Sequence, residues 1–125
     1  MLFMNNDTTF LRQIHPAFIH DGRLGSSAFR PSKKDNGLLS VYDGDLIVAE
    51  DAFQHFNAQP DCSSRCVCGV THHETRSIGL ESRPDTENHF PQHAVIDFTP
   101  YGSSRQEKLA KHLRNFAQDR GILYP

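Results

Sequence analysis

The sequence predicts a small α+β domain: a mostly antiparallel sheet with two or three helices on one side, the C-terminal helix packed on one face. Short runs rich in β-branched and aromatic residues indicate strands, and two later segments place apolar residues at helical spacing. The 125 residues are enough for one hydrophobic core and too few for two. We therefore expect residues 1–125 to form a single domain.

The N-terminal third is predicted to be mostly irregular. Residues 8–19 carry apolar side chains at helical spacing, and Pro16 disfavours the α conformation of the residue before it, so we expect a short helix or turn that ends near His15. Glycine, serine and proline punctuate residues 20–37, which predicts loops around a brief extended piece at 27–30. The run "LLSVY" at 38–42 then predicts a strand that ends at the Asp43-Gly44 turn.

The rest of the chain alternates helices and strands. Residues 48–58 fit a helix, "RCVCGVTHHET" at 65–75 a strand, 77–82 a weaker strand, 83–92 a loop, and "HAVIDF" at 93–98 a strand with Ala94, Ile96 and Phe98 on one face. Ser104 and Glu107 have the spacing of a capping box for a final helix that closes at Gly121. An apolar stripe predicts that this helix covers the sheet; its members are Leu109, Leu113, Phe116 and Ala117.

Charge and cysteine content narrow the classes of partner. Thirteen basic and fifteen acidic residues are interspersed and leave a net charge of −2, which argues against nucleic acid as a partner without excluding it, and against a membrane surface. The chain has no apolar run near the roughly 20 residues that span a bilayer, and its N-terminus does not resemble a secretory signal. Three cysteines do not form a disulfide framework, so we expect a cytoplasmic protein with free thiols.

The stretch "CSSRCVCGVTHHE" at 62–74 gathers the three cysteines and a histidine pair, residue types that bind zinc. If residues 65–75 form one strand, His72 and His73 point to opposite faces, and Cys68 and His72 lie about 13 Å apart. One strand cannot wrap one ion with that set. We therefore predict no metal site, and interpret the cysteines as buried core residues.

The segment 15–40 is the predicted ligand site, because loops on a rigid scaffold often carry binding groups. Arg30 has a planar fork suited to phosphate or carboxylate, and neighbouring hydroxyls and carboxylates could complete an anion cradle. The predicted ligand-binding residues are Asp21, Ser26, Ser27, Arg30, Lys33 and Ser40. The alternative is structural: Arg30 pairs with Asp21 or Asp35 and pins a loop, while Lys33 and Lys34 are solvated turn residues. No phosphate-loop or dinucleotide fingerprint is present, and we predict no cofactor.

His15 and His93 are the candidate catalytic residues. His93 stands at the entrance of a predicted strand, where its side chain could act as a general acid or base with His15 across the fold. The alternative is that His93 only caps or hydrogen-bonds a neighbouring loop.

Two groups of residues resemble a known set of sequences. The chain is similar to a group of small bacterial proteins, without an assigned biochemical activity, that share a pattern like "HPxFIxDGRxxSxAFRPxxKD", then "LSVYDGDLI" and "PxHAVIDFT". The match runs over residues 15–51 and 91–99. The resemblance implies a bacterial origin and a shared polar site, and "RCVCGVTHHET" stands out as a local departure from it.

Two functions fit these observations. One is a small binding or accessory module, for example from a defence, toxin-antitoxin or mobile-element operon, that holds an anionic ligand or a protein partner around Arg30. The other is a small enzyme that acts on a phosphodiester or a nicotinamide dinucleotide, with His15 and His93 as acid and base, Arg30 as anion clamp and Ser40 as a positioning group. The second is distantly suggested by the order of "LSVYDGD" and "AEDAFQHF", a strand before a helix as in ADP-ribosyltransferase-like folds.

Overall fold

A five-stranded antiparallel sheet forms the centre of the protein. The computed structural model describes residues 5–32, 35–85 and 89–125. The strands, in chain order, are β1 (Thr9–Ile14), β2 (Ile19–His20), β3 (Arg23–Leu24), β4 (Leu38–Asp43), β5 (Cys66–Thr71), β6 (Glu81–Pro84) and β7 (His93–Asp97). The main sheet has the order β5-β1-β4-β7-β6, and β2 and β3 form a separate hairpin.

Among the described residues, three α-helices accompany the sheet, together with short 3₁₀ helices at Pro16–Phe18 and Ser26–Phe29. The α-helices are α1 (Ala49–Asn57), α2 (His72–Ser77) and α3 (Ser103–Arg120). The α+β class and the antiparallel sheet predicted from the sequence are confirmed. Among the described residues, no helix is both long enough and apolar enough to cross a membrane.

The helix α3 covers one face of the sheet, as predicted. Leu109, Leu113 and Ala117 are fully buried against the alternate strand residues that point the same way, such as Phe10 and Ile96. We call this side of the sheet the α3 face. It contains most of the large buried side chains of the described residues, and the second 3₁₀ helix adds Phe29 to it.

The helix α1 lies on the opposite face, which corrects the expectation that all helices share one side. Leu11 alternates with Phe10 along β1 and packs with Ala52, Phe53 and Phe56 of α1. We call this side the α1 face. Its buried cluster is smaller, and the rings of Phe53 and Phe56 are only half-buried.

The first element was predicted wrongly. Residues 9–14 form the strand β1 and not a helix, and β1 pairs with β5 along its whole length. Phe10 and Ile14 are buried on the α3 face while Leu11 is buried on the α1 face. A strand that is buried on both faces loses the polar and apolar alternation that marks a strand in sequence, and its apolar residues then mimic helical spacing.

The predicted boundaries of the other elements are confirmed for some elements and wrong for others. The predictions for β4, α1 and β7 are confirmed within one or two residues. The weaker strand begins at Glu81, later than expected, and residues 26–29 form a 3₁₀ helix in place of an extended piece. The helix α3 starts at Ser103 after an N-cap at Gly102 that makes no side-chain bond, so the capping box predicted at Ser104 and Glu107 is wrong.

The true capping box lies in "THHE" at 71–74. The side chain of Thr71 accepts from the backbone N–H of Glu74 at 3.1 Å, and the Glu74 carboxylate accepts from the backbone N–H of Thr71 at 2.8 Å. This reciprocal pair ends β5 and starts α2. His72 and His73 therefore stand in the first turn of a helix, and the prediction that residues 65–75 form one strand is wrong beyond Thr71.

Candidate functional site

The two central strands β1 and β4 separate after a short contact. They pair only at Phe10 with Asp43 and at Leu11 with Tyr42, whereas β4 and β7 pair over five positions from Leu38 to Tyr42. Continuing the β1–β4 register would put Gln13 opposite Ser40. The two strands diverge before that point, and the resulting opening in the sheet is the place around which the candidate site is built.

Arg12 bridges this opening. Its Nε donates to the backbone oxygen of Ala28 at 2.7 Å, and its Nη1 donates to the backbone oxygen of Ser40 at 2.9 Å. The guanidinium thus replaces hydrogen bonds that a continuous β1–β4 ladder would make. Burial lowers the pKa of Arg12 to about 10, with a smaller opposing effect from Asp35. At neutral pH Arg12 is therefore a desolvated cation.

The charge of Arg12 has no carboxylate partner among the described residues: none lies within 4.0 Å of the guanidinium. Removing a cation from water costs several kcal/mol unless an anion or a set of hydrogen bonds compensates it. The carbonyls of Ala28 and Ser40 supply part of that compensation. An external anion could supply the rest.

A cavity of about 220 Å³ opens on the α1 face beside the divergence, and we call it the ring cavity. Leu11, Gln13, Ser40 and Tyr42 from β1 and β4 contribute to its lining, together with Phe56 of α1. Aromatic rings from three further residues also line it: His55, Phe90 and His93. Cavities for drug-sized ligands measure roughly 300–1,000 Å³, so the ring cavity has room for a single small ring system.

The aromatic side chains are held by each other. His55 and Phe90 stack with centroids 3.9 Å apart and planes 14° apart, and the ring of Tyr42 stands edge-on to both. The Tyr42 hydroxyl shares a hydrogen bond with Nδ1 of His55 at 2.9 Å. Burial raises the pKa of Tyr42 to about 12, so the phenol keeps its proton at neutral pH. The wall is a fixed aromatic surface before any ligand arrives.

Gln13 is the unusual member of this cavity. It is 8% exposed, and neither its Oε1 nor its Nε2 has a hydrogen-bond partner among the described residues. Buried side-chain amides are almost always hydrogen-bonded, to protein or to water. Both buried amide atoms therefore need a partner that the described residues do not supply, and Gln13 lines the cavity where such a partner could come from.

A second, more open cavity of about 430 Å³ adjoins the first, and we call it the arginine cavity. Arg12, Gln13 and Phe56 line both cavities, and we call the two adjoining cavities together the groove. Arg30 lines the arginine cavity from the end of the second 3₁₀ helix, and its Nη2 donates to the Ser103 hydroxyl at 2.9 Å. The other polar groups of its wall are those of His15, Ser27, Ser32, Asp35, Asp61, Cys62 and Ser63.

The groove brings together some of the predicted site residues and leaves out others. His15, Ser27 and Arg30 line the arginine cavity, while Ser40 and His93 line the ring cavity. Asp21 and Ser26 line neither. Asp21 has φ 52° at the turn of the β2–β3 hairpin. Lys33 lies outside the described residues.

The two predicted catalytic histidines occupy different cavities and have different partners. His93 Nδ1 lies 3.1 Å from Asp85 Oδ2, which orients the imidazole at the wall of the ring cavity. His15 is exposed, and its Nδ1 accepts from the backbone N–H of Ala17 at 3.0 Å as the N-cap of the first 3₁₀ helix. That bond fixes the imidazole of His15 at the wall of the arginine cavity.

Two of the three cysteines at 62–74 belong to the α3 face, whereas Cys62 is half-buried at the arginine cavity. Cys66 and Cys68 are free, 3% and 4% exposed, and part of the main hydrophobic cluster. Burial raises the pKa of both thiols, that of Cys68 to about 12. Among the described residues, no three histidine, cysteine or acidic side chains converge in the geometry of a metal site.

The sequence reasoning missed Arg12, Gln13, Tyr42, His55, Phe56 and Phe90. Arg12 and Gln13 were hidden because β1 was interpreted as a helix. A usable signal was present: "RQ" between apolar residues in a buried strand is a pair of polar side chains that must find partners.

Comparison of the chain with models of known protein families, with curated proteins and with solved structures finds no significant match. The candidate site therefore rests on its own geometry.

Proposed function

We propose that the protein is a small-ligand binding module whose site is the groove formed by the ring cavity and the arginine cavity. The observation that carries the proposal is the cation of Arg12, which lines both cavities without a carboxylate within 4.0 Å among the described residues. Arg30 adds a second guanidinium at the outer end of the groove. A ligand with an anionic group and a ring would engage both halves.

The anionic group belongs at the Arg30 end. Arg30 is exposed and has one hydroxyl partner, Ser103, among the described residues, so its remaining donors can turn to phosphate or carboxylate. The hydroxyls of Ser27 and Ser32 line the same cavity. Asp35 and Asp61 also line it and limit the positive potential, which favours a ligand of low charge. A concave groove of this size suits a small molecule better than the flat surface of a protein partner.

Phenyl phosphate is a suitable probe because it carries one ring and one anion. We expect it to bind more tightly than inorganic phosphate in isothermal titration calorimetry, since the ring adds apolar contact. Arg30→Gln should weaken phenyl phosphate binding by about 10-fold or more, because hydrogen bonds to charged groups contribute roughly 1.5–3 kcal/mol. Arg30 is exposed, so the variant should fold normally.

The matched control is Arg76→Gln. Arg76 is an exposed arginine on α2 that lines neither cavity. Its replacement makes the same change in net charge and should leave phenyl phosphate affinity unchanged. Equal affinities of the wild type and Arg30→Gln would show that the anion site is assigned to the wrong residue. No binding by the wild type would contradict the proposed function itself.

A second candidate function is favoured by the His93–Asp85 pair at the ring cavity. A carboxylate-oriented histidine beside a ligand cavity is the arrangement of a general acid or base. The substrate would be a phosphodiester or a nicotinamide dinucleotide, with Arg30 as anion clamp and His15 as the second acid-base group. Two assays test this function directly. One measures the release of nitrophenolate from bis(4-nitrophenyl) phosphate, and the other measures the consumption of a nicotinamide dinucleotide by the protein. His93→Gln should reduce a genuine turnover by about 100-fold or more, and absence of turnover by the wild type would leave the binding module.

We place this module in the bacterial cytoplasm. The free thiols of Cys62, Cys66 and Cys68 support a reducing compartment. An operon that encodes defence, toxin-antitoxin or mobile-element functions remains our proposed genetic setting.

A further inference from the structure

The amide of Gln13 is a buried donor and acceptor that the proposed anion site does not use. Both amide atoms lack a partner among the described residues, although the side chain is 8% exposed. Gln13 is fixed by its strand: its backbone pairs with Val67 of β5, inside the longest ladder of the sheet. A polar group held in this way needs a partner from outside the chain, which is either water or a ligand.

The surroundings of Gln13 select among such partners. The ring cavity has aromatic walls formed by Tyr42, His55 and Phe90, which are held by stacked and edge-on contacts. Its volume of about 220 Å³ admits one flat ring system. Aromatic lining residues together with one unpaired amide favour a flat ligand with a polar edge over a bare ion or an aliphatic chain.

We propose that the ring cavity binds a flat heterocycle that presents a hydrogen-bond donor beside an acceptor to the amide of Gln13. This inference rests on the proposed function, because it assumes that the groove is a ligand site, and it names the class of ligand. A glutamine amide carries Oε1 and Nε2 in one plane and forms paired hydrogen bonds with such an edge, as it does with the amino edge of adenine. The same chemistry is found in the lactam edge of uracil and in the carboxamide of nicotinamide.

Neutral probes separate this inference from the anion site. The probes are uracil, nicotinamide and 9-methyladenine, each compared with a counterpart in which the N–H groups are replaced by N-methyl: 1,3-dimethyluracil, N,N-dimethylnicotinamide and N6,N6,9-trimethyladenine. Affinities are measured by calorimetry or by chemical-shift titration of labelled protein. At least one parent probe should bind about 10- to 100-fold more tightly than its methylated counterpart, because the counterpart leaves Oε1 of Gln13 unpaired. The N–H probe that binds more tightly than its methylated counterpart identifies which heterocycle supplies the donor–acceptor edge.

The variant Gln13→Met removes both amide atoms and keeps the length of the side chain. It should abolish the preference for the N–H probe while weak binding of the ring itself persists. Arg76→Gln, at an exposed residue that lines neither cavity, should leave the affinity for these neutral probes unchanged. The comparison of methylated and unmethylated probes is made on the wild-type protein, so it stands even if a variant at Gln13 folds poorly.

The possible failures are distinct. If wild-type protein binds each N–H probe and its methylated counterpart equally, or if Gln13→Met keeps the preference, Gln13 is solvated by water and the inference is wrong. If phenyl phosphate still binds in an Arg30-dependent way under those conditions, the proposed function survives without it. If neither class of probe binds, both proposals fail.

Discussion

The two faces of the sheet are built from the same five strands and differ in how completely they are filled. On the α3 face, side chains such as Phe10, Leu39 and Leu113 are fully buried and meet in one continuous apolar cluster. On the α1 face the buried cluster is small, and Phe56 and His55 remain half-buried at the edge of a cavity. Most of the apolar packing that stabilises the fold is therefore on the α3 face, whereas the side chains that can contact a ligand are on the α1 face.

The polar groups follow the same division. Gln106 on the α3 side donates Nε2 to the backbone oxygens of Phe98 at 3.1 Å and Tyr101 at 2.8 Å. Gln13 on the α1 face makes no such bond within the described residues. Unpaired buried polar groups destabilise a fold, and proteins tend to retain them where they serve binding or catalysis. Unpaired atoms also occur at His72 and Gln92, and of these three residues Gln13 is the one that lines the ring cavity.

The largest expected effect comes from opening the filled face. Leu113 is fully buried under α3, and Leu113→Ala should lower the free energy of unfolding by about 2–5 kcal/mol, since it leaves a cavity in a close-packed core. Phe56→Ala on the α1 face removes more atoms from a side chain that already faces a cavity. It should cost only about 1–2 kcal/mol, below the usual range for a buried phenylalanine.

Urea unfolding of both variants measures this difference at one pH. A larger loss for Phe56→Ala than for Leu113→Ala would break the comparison, because it would show that the α1 face carries as much packing energy as the α3 face. Phenyl phosphate binding supplies a second measurement: Phe56 lines both cavities, so its removal should weaken binding while Leu113→Ala leaves the groove intact.

The next prediction is that replacing glutamine by methionine changes the free energy of unfolding in opposite directions on the two faces. Gln13→Met should raise the free energy of unfolding by about 1 kcal/mol, because it replaces an unpaired buried amide by an apolar group of similar shape. Gln106→Met should lower it by about 1–2 kcal/mol, because the carbonyls of Phe98 and Tyr101 lose their shared donor. Thermal unfolding followed by circular dichroism gives both shifts. Destabilisation by Gln13→Met would indicate that its amide has a structural partner, such as a tightly held water.

The sequence predicts an element better where one side of that element is exposed to solvent. The helix α3 exposes a polar face, and its periodicity is visible in the sequence. The strand β1 is buried on both sides, so its pattern resembles a helix. At "THHE" the competing signal was local: Thr71 and Glu74 close a capping box that overrides the strand propensity before it.

The candidate site was predictable only in part for a related reason. Ser40 was predicted as a group near the end of one strand and His93 as a group at the entrance of another, and both line the ring cavity. Arg12 and Gln13 matter because β1 and β4 diverge, and the divergence depends on long-range pairing. No local pattern encodes such an opening. The pairing of Arg30 with Asp21 or Asp35 is likewise not observed among the described residues, where Arg30 contacts Ser103 of the distant helix α3.

The smallest expected effect is a decrease in the free energy of unfolding at alkaline pH, which should arise from the α3 face. Burial on the α3 face raises the pKa of Cys68 from 9.0 to about 12, and that of Cys66 in the same direction. Between pH 8 and 10 the unfolded thiols lose protons that the folded protein keeps. The folded state then binds more protons than the unfolded state, and the free energy of unfolding falls as pH rises. Cys68 alone should account for about 1 kcal/mol of that loss.

Urea unfolding at pH 8 and pH 10 measures this loss, and Cys68→Ala should remove the share that Cys68 contributes. Tyr42→Phe on the α1 face should change it by only about 0.4 kcal/mol, because the pKa of Tyr42 is raised from 10.0 to about 12 and the unfolded phenol is only half ionised at pH 10. If Cys68→Ala kept the full pH dependence, the thiol would be open to solvent, and the α3 face would not be the sealed side of the sheet. A dependence lost with Tyr42→Phe would instead place the alkaline sensitivity at the ring cavity, where an ionised phenol would lie beside the amide of Gln13.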